Sequence, residues 1–265
     1  VMLSEILNIF NSGVRMRVPF ALLIALGLAT RLPAQQLSPE LARVDSLIVA
    51  RNVAGAAAII DAEVRRAPRD FEVLWRVSRV RLLQGDASLP QSREQDRLYR
   101  QSLQIAEQAI RANPSAPDGY VRRAAASGKV ALFSGVLDAS DFVLQAKEDS
   151  ERVIGMNAAP PVLLATAHYI LGRTHLKLTE TPRPLRMPIG LGFGNLGDAL
   201  SNLRRARQLR PGFIMFELEL GRVLIASDQG PQARPILTAI ANLPELEPGD
   251  AERKREAVEV LRGIR

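Results

Sequence analysis

The chain has 265 residues, enough for one large domain or two small ones, and 47% of them are hydrophobic. It contains no cysteine, which excludes disulfides, thiol catalysis and cysteine-ligated zinc. The formal net charge of +7 comes mostly from arginine, a bias that a GC-rich genome also produces; its functional interpretation is an acidic partner or an anionic membrane surface. No dense basic block with interleaved aromatic residues occurs, and nucleic-acid binding is therefore not expected.

The first predicted element is an export signal. Arg15 and Arg17 precede the apolar run Val18–Thr30, which is too short to cross a bilayer core of ~30 Å. A basic start, a short apolar core and a small residue before a polar stretch are typical of a secretory signal peptide. We therefore expect residues 1–34 to comprise an N-terminal extension and a signal peptide, Met16–Ala34, and the mature protein to be periplasmic or secreted. An uncleaved amphipathic anchor helix is the alternative.

From Ser38 onward the apolar residues follow a helical spacing, and no alternating strand pattern occurs. Prolines and glycines separate the helical segments. The predicted helices are 39–51, 53–67, 71–84, 91–112, 118–134, 139–156, 161–178, 196–210, 213–228, 231–242 and 250–263. The sequence therefore predicts a single helical domain over residues 35–265.

Small residues recur at one place before successive helix ends. Taking Pro68, Pro114, Ala158 and Pro211 as those ends, the residues twelve positions earlier are Ala56, Ser102, Ala146 and Ala199. The tripeptide Leu-Gly-Arg also occurs twice, at 171–173 and 220–222. Small residues at such places let two helices approach closely, which is the pattern of the tetratricopeptide repeat, or TPR. The predicted fold class is all-α, a right-handed TPR-like superhelix of antiparallel helix pairs.

Several segments resemble one branch of the TPR superfamily, the regulator of microtubule dynamics proteins and their bacterial relatives. The segments are Val73-Leu74-Trp75-Arg76, Tyr99 with Ala106-Glu107-Gln108-Ala109, His168 to His175, Phe193-Gly194, Ala206 with Pro211, and Lys254-Arg255-Glu256-Ala257. The resemblance implies the helical-repeat fold and a role as a binding scaffold. In animals, members of the family are associated with microtubules.

Two motifs resemble a cofactor site and a metal site, but structural roles in a loop and in helix packing explain them better. Gly192–Gly197 matches the dinucleotide-binding fingerprint by letter, but three prolines in the preceding Thr181–Ile189 exclude the strand that the fingerprint requires. A flexible loop between repeats is expected instead. His168 and His175 are seven residues apart, whereas a metal pair needs a spacing of about three or four. Packed or hydrogen-bonded histidines are therefore expected, with no metal and no cofactor.

One predicted helix carries a group of acidic residues, which we interpret as a solvated face rather than a catalytic pair. The group consists of Asp138, Asp141, Glu148, Asp149 and Glu151. Glu148 and Arg152 are one helical turn apart, and a pair between them would support the helix.

A row of arginines is the sharpest prediction of a site. In TPR pairs the first helix lines the concave face, and we place groove positions seven and eleven residues after each proline. The predicted partner-binding residues are Trp75, Arg79, Tyr169, Arg173, Leu218 and Arg222. The second pair breaks the row, with Val121 and Ala125. Each arginine follows its apolar or aromatic neighbour by one helical turn, an arrangement that suits a peptide carboxylate. The rival interpretation pairs these arginines with acidic residues of neighbouring helices.

These groove positions are rich in arginine and aromatic residues and contain few acids. They favour a non-enzymatic scaffold that binds a protein or peptide, with an acidic partner as one candidate and no small-molecule substrate. The alternative is an envelope hydrolase or carbohydrate-processing enzyme built on a helical solenoid, which would need two carboxylates in the groove. Contact of the basic face with a membrane surface is a third, weaker interpretation.

Overall fold

Helices dominate the secondary structure. The computed structural model describes residues 37–134 and 136–264, and these form twelve α-helices and three short 3-10 turns without any strand. The export signal predicted for residues 1–34 lies outside the described residues. The helices are α1 (Pro39–Val49), α2 (Val53–Arg66), α3 (Phe71–Ala87), α4 (Arg93–Ala112), α5 (Pro117–Val130), α6 (Val136–Ile154), α7 (Pro161–Thr179), α8 (Arg183–Arg186), α9 (Leu196–Leu209), α10 (Ile214–Ala226), α11 (Gly230–Ala239) and α12 (Asp250–Arg262).

Local capping signals fix where many of these helices begin. The side chains of Ser38, Asn52, Asp70, Ser92 and Asn195 each accept a hydrogen bond from a backbone amide in the first turn of the following helix. Proline opens α5 and α7, where a backbone N–H would have no partner within the helix. Because these signals are local, the sequence predicts most boundaries to within a few residues.

The helices pack as successive pairs. The pairs are α1 with α2, α3 with α4, α5 with α6, α7 with α9, and α10 with α11, while α12 closes the series against α10 and α11. Short connections make the two helices of a pair antiparallel, except that a longer segment joins α7 to α9. The first helices of successive pairs also touch one another, from α1 through α3, α5, α7 and α10 to α12. The predicted all-α TPR superhelix is confirmed, and we call the surface of these first helices the concave face. Within the described residues, no helix is both long and apolar enough to cross a lipid bilayer.

The recurring small residues lie where paired helices meet. Ala56, Ser102, Ala146 and Ala199 are all at most 1% exposed. Ser78 of α3 and Ser102 of α4 bind each other reciprocally, each hydroxyl donating to the other residue's backbone carbonyl at 2.9 and 2.8 Å. Two helix backbones come this close only where both side chains are small, which is the role that the sequence predicted for these positions.

The glycines of the two Leu-Gly-Arg tripeptides mark further close approaches. A Cβ atom on Gly172 of α7 would lie 2.8 Å from Cγ of Leu203 and 3.1 Å from the carbonyl oxygen of Ala199, both in α9. A Cβ atom on Gly221 of α10 would lie 2.6 Å from Cγ of Leu237 in α11. Both distances to leucine are below normal van der Waals contact. The repeated tripeptide therefore places a glycine where the second helix of the same pair crosses.

The segment between α7 and α9 differs from the flexible loop that the sequence predicts. It contains α8 and a 3-10 turn, and it folds around the buried guanidinium of Arg186. That side chain donates to the backbone carbonyls of Thr181, Leu191 and Gly194 at 3.1, 2.8 and 2.9 Å. The segment is more structured than the predicted loop because one arginine supplies the hydrogen bonds that the irregular backbone needs. Asn195 caps α9, which begins directly after the segment.

Candidate functional site

The concave face begins with a buried arginine on α3. Arg76 donates from Nε and Nη2 to Oδ2 of Asp45 on α1 at 3.0 and 2.8 Å, and from Nη1 to Oε2 of Glu72 at 2.7 Å. Its guanidinium carbon lies 4.0 Å from the centre of the Trp75 ring. The indole of Trp75 donates to the same Glu72 oxygen at 3.0 Å. The predicted groove residue Trp75 is thus one member of an ionic cluster that ties α3 to α1.

The arginines of the two Leu-Gly-Arg tripeptides share one carboxylate. Glu219 of α10 is 3% exposed, and its Oε1 accepts a hydrogen bond from Nη1 of Arg222 at 2.8 Å. Nε of Arg173 on α7 lies 3.4 Å from the same oxygen, as an ion pair rather than a hydrogen bond. Nη2 of Arg222 also donates to Oε2 of Glu256 on α12 at 2.8 Å. These two predicted arginines therefore link α7, α10 and α12, as the rival structural interpretation requires.

Two predicted groove residues belong to the hydrophobic core instead. Leu218 is 2% exposed, and Tyr169 is 7% exposed and stacks on Phe216 with ring centres 5.1 Å apart. Val121, at the equivalent place in α5, is also fully buried. These positions of α5, α7 and α10 thus belong to the core, whereas Trp75 at the equivalent place in α3 is only partly buried. The next residue along reaches the concave face in α3, α5 and α10: Arg76, Arg122 and Glu219.

The concave face carries acids that the predicted groove positions do not include. Six acidic residues, each from a different element, approach or pair with its arginines: Asp45, Glu72, Asp118, Glu219, Glu247 and Glu256. Counting a fixed number of residues from each proline missed them because they lie one turn away or on the neighbouring helix. The face is consequently a network of opposite charges rather than a row of free arginines.

A short acidic segment, Pro244–Pro248, reaches this network from the far end of the chain. Glu245 pairs with Arg51, which follows α1, and Oε1 of Glu247 lies 3.4 Å from Nη2 of Arg79 on α3. Arg79, the remaining predicted arginine, is therefore paired as well. These contacts join residues 194 and 168 positions apart, and they connect the last helix pair to the first two.

Arg122 of α5 holds an unusual position between these charges. Its Nε atom is buried and has no hydrogen-bond partner among the described residues. Burial and the neighbouring charge of Arg79 lower the pKa of Arg122 to about 10, against the opposing influence of Asp118, Glu247 and Asp45. The guanidinium remains charged at neutral pH, and within the described part of the chain its buried Nε is a hydrogen-bond donor without an acceptor.

The two histidines fill structural places between α7 and α9. Nδ1 of His168 lies 2.8 Å from the amide oxygen of Asn202, and the buried ring of His175 meets Phe193 edge-on with centres 5.4 Å apart. Burial lowers the pKa of both histidines. They are packed or hydrogen-bonded, as the sequence predicted.

The acidic helix α6 differs from the predicted solvated face at one residue. Asp149 is buried and accepts two hydrogen bonds from Arg123 of α5, at 2.7 and 2.8 Å. Arg152, which was expected to pair with Glu148, instead has its guanidinium 4.5 Å from the centre of the Tyr120 ring. The sequence pattern of α6 could not reveal this because both partners belong to α5.

Sequence reasoning missed Arg76, Arg122 and the acidic segment as parts of the site. The segment carries a visible signal: two glutamates between two prolines, in a chain whose net charge is positive. A Glu-x-Glu run opposite predicted arginines is a candidate for an internal ion pair. The missing information is spatial, because nothing local indicates that residue 247 lies beside residue 79.

Comparisons with known proteins agree with this architecture. The crystal structure of TTC0263, a thermophilic TPR protein in Thermus thermophilus, superposes with a TM-score of 0.62 at 15% identity, covering 84% of this chain and 97% of that chain. MamA 41-end from Desulfovibrio magneticus RS-1 (TM-score 0.45, 16% identity, 85% and 97% covered) and YrrB, a TPR protein with an unusual peptide-binding site (0.44, 13%, 83% and 91%), are more distant. A search of curated proteins gives no significant match.

A family model decides the classification. The model described as regulator of microtubule dynamics protein 1-3 matches residues 41–265, which run from within α1 through α12. The match extends over both Leu-Gly-Arg tripeptides and the acidic segment, and it agrees with the resemblance seen in the sequence. The chain therefore belongs to the regulator of microtubule dynamics protein 1-3 family and has the TPR fold.

Proposed function

We propose that this protein is a non-enzymatic scaffold that is exported to the cell envelope and binds a protein or peptide on its concave face. The observation that carries the proposal is a set of buried polar atoms on that face without hydrogen-bond partners among the described residues. Four of them are Asp45 Oδ1, Arg122 Nε, Arg173 Nε and Glu219 Oε2. They come from the first helices of four different pairs, α1, α5, α7 and α10.

Such atoms support the proposal because they are free to bond polar groups from outside. A buried donor or acceptor without a partner costs about 1–3 kcal/mol, so a protein rarely keeps several of them on one surface. Ordered water often supplies such bonds on a protein surface, and the backbone and side chains of a bound segment can replace that water. The set includes both donors and acceptors, which suits a peptide because a peptide presents both.

The carboxylates of the concave face support a scaffold over a hydrolase. Glycoside hydrolysis needs one carboxylic acid and one carboxylate, each free to face the substrate. Here Asp45 and Glu72 bind Arg76, while Glu219 and Glu256 bind Arg222. Each of these acids holds two helices or two turns together, a structural role that leaves it poorly placed for proton transfer.

Affinity capture tests the scaffold proposal. The mature chain from residue 35, immobilised and incubated with the envelope fraction of its own cells, should retain a defined protein that high salt releases. A variant with Arg122→Gln should lose most of that capture, because the change removes a donor that is available to a partner. Arg97→Gln is the matched control, since Arg97 pairs with Glu94 within the exposed part of α4. Equal capture by both variants would place the partner elsewhere on the molecule.

Export needs its own experiment. Cells that make the full-length chain should contain a form beginning near Gln35 in the periplasmic fraction. Replacing Leu22 and Leu23 with charged residues should keep the precursor in the cytoplasm, because the apolar core of a signal peptide is required for targeting. An unprocessed cytoplasmic product from the unmodified chain would refute export and leave the binding proposal open.

A further inference from the structure

The acidic segment Pro244–Pro248 lies against the concave face as a bound peptide would. It contains no helix or strand, and its two glutamates reach Arg51 and Arg79 in the first half of the protein. The side chain between them, Leu246, is 41% exposed. The segment is therefore held to the first two helix pairs by charge and buries little apolar surface there.

Side chains of α12 hold the backbone of this segment in place. The buried carboxylate of Asp250 accepts hydrogen bonds from the backbone amides of Leu246 and Glu247 at 2.9 and 2.8 Å. Arg253 donates to the carbonyl of Pro248 at 3.1 Å. Prolines at both ends restrict the backbone further. Little conformational entropy remains to be lost when the two glutamates meet the arginines.

The arginines opposite the segment carry more positive charge than it neutralises. We call Arg79, Arg122 and Arg210 the arginine cluster, because the charges of Glu247 and Arg79 act on both other members. Among the described residues, neither Arg122 nor Arg210 forms an ion pair; Arg210 instead lies over the Phe213 ring, 3.6 Å from its centre. Glu247 lies 3.4 Å from Arg79, its charge also acts on Arg122 and Arg210, and Nε of Arg122 has no acceptor in the described part of the chain.

We propose that the arginine cluster is a binding site for an acidic peptide of the form Glu-x-Glu, and that the chain's own acidic segment occupies this site in the free protein. The inference rests on the proposed scaffold function and names its partner class and its regulation. The carboxylates of an incoming peptide replace those of Glu245 and Glu247 at the arginines. The available donor of Arg122 gives a better placed peptide an additional charge-assisted hydrogen bond.

Competition between segment and peptide sets the apparent affinity. A tethered ligand acts at an effective concentration of the order of millimolar. The acidic segment therefore occupies the site in most molecules when a free peptide arrives. The apparent dissociation constant of the peptide rises as the fraction of molecules with an unoccupied site falls. Removing both glutamates of the segment should expose the cluster without changing it.

The experiment titrates a labelled peptide, acetyl-Pro-Glu-Leu-Glu-Pro-amide, into the full mature chain and into the Glu245→Gln/Glu247→Gln variant. The variant should bind roughly tenfold more tightly, which corresponds to about 1.4 kcal/mol. Binding should weaken as salt is raised, because charge carries it. Adding Arg79→Gln and Arg122→Gln to the same variant should abolish saturable binding, whereas adding Arg97→Gln should not change it.

Two measurements keep the outcome interpretable. The Gln-for-Glu peptide, acetyl-Pro-Gln-Leu-Gln-Pro-amide, should not bind, and equal binding of both peptides would overturn the role of charge. If the double variant does not fold, peptide binding can still be measured on the unmodified chain. Trp75 is the only tryptophan and precedes Arg79 by one helical turn, so its fluorescence should change on saturation with the Glu peptide and not with the Gln peptide. No change in either protein would also overturn the proposal.

The site and the scaffold function can fail separately. If the Glu peptide does not bind but envelope capture still depends on Arg122, the scaffold stands and the Glu-x-Glu assignment falls. If the double variant binds vesicles of phosphatidylglycerol and phosphatidylcholine but not the peptide, the cluster recognises an anionic surface and the peptide assignment is wrong. Tight peptide binding that is identical in the unmodified chain and the double variant would refute occupation by the acidic segment.

Discussion

Two neighbouring residues of α7 represent two different regions of this protein. Gly172 faces α9 within its own helix pair, where a Cβ atom would meet Leu203 at 2.8 Å. Arg173 faces the concave surface and pairs with Glu219 of the next helix pair at 3.4 Å. The first contact depends on size alone, and the second depends on charge and on a residue 46 positions away. The interface within pairs is therefore steric and periodic, whereas the concave face is ionic and joins residues that lie far apart in the sequence.

The difference has an energetic consequence. Close-packed interfaces respond steeply to added volume because their atoms have no space to move into. Ion pairs on a partly hydrated face respond weakly because water screens the charges. Mutations in the pair interface should therefore unfold the protein, and mutations on the concave face should chiefly alter binding. Four experiments would break or sharpen this distinction.

The largest effect is expected from Ala206→Phe in α9. Ala206 is fully buried in the core around α10, and a phenyl ring has no room there. We expect a loss of about 3 kcal/mol or more in the free energy of unfolding, measured by urea denaturation. Ala251→Phe in α12 is the control, because Ala251 is exposed and should tolerate the ring. Similar losses in both variants would show that the pair interface is not the sensitive region.

Two glycine substitutions should have opposite signs. Gly172→Ala places a Cβ atom against backbone atoms of α9 at 3.1 Å and should cost about 1–2 kcal/mol. Gly128→Ala in α5 meets no atom within 4 Å, and alanine should stabilise that helix by up to about 1 kcal/mol. Thermal or chemical denaturation of both variants separates the steric cost from helix propensity. A stabilising Gly172→Ala would contradict the close approach of α7 and α9.

A smaller loss is expected on the concave face. Arg173→Gln and Arg222→Gln each remove a partner of the buried Glu219, and each should cost about 1 kcal/mol, because about a third of either arginine side chain is exposed to water. Arg79→Gln should cost less, since its pair with Glu247 is long at 3.4 Å. If the double variant of Arg173 and Arg222 loses less than the sum of the single losses, the arginines act through the shared carboxylate. A loss as large as that of Ala206→Phe would remove the distinction between the two regions.

The smallest effect concerns pH. Burial places the pKa of His168 and His175 below the value of about 6.5 in the unfolded chain. As pH falls, the histidines therefore take up protons in the unfolded state before they do so in the folded state. For these groups, the folded protein is most stable above about pH 6.5, where both histidines are neutral in either state, and it loses stability as pH falls through their folded pKa. Denaturation midpoints should decline from pH 7 to about pH 5, and less so in His168→Gln/His175→Gln. An unchanged slope in the double variant would assign the acid sensitivity to other groups.

The sequence alone determines the helices, their pairing and the fold class. Caps such as Asp70 and Asn195 are local, and small residues such as Ala199 recur at a fixed distance from each helix end, so both can be found by spacing. The concave face is different, because its ion pairs join residues that no period relates. Glu247 meets Arg79 only when the superhelix brings the segment after its last pair to its second pair, and Leu218 is buried only within a core to which several helices contribute. An ion pair forms between residues that are close in space, whatever their separation in the sequence. The curvature of the superhelix decides which residues are close, and it depends on the whole stack of helices.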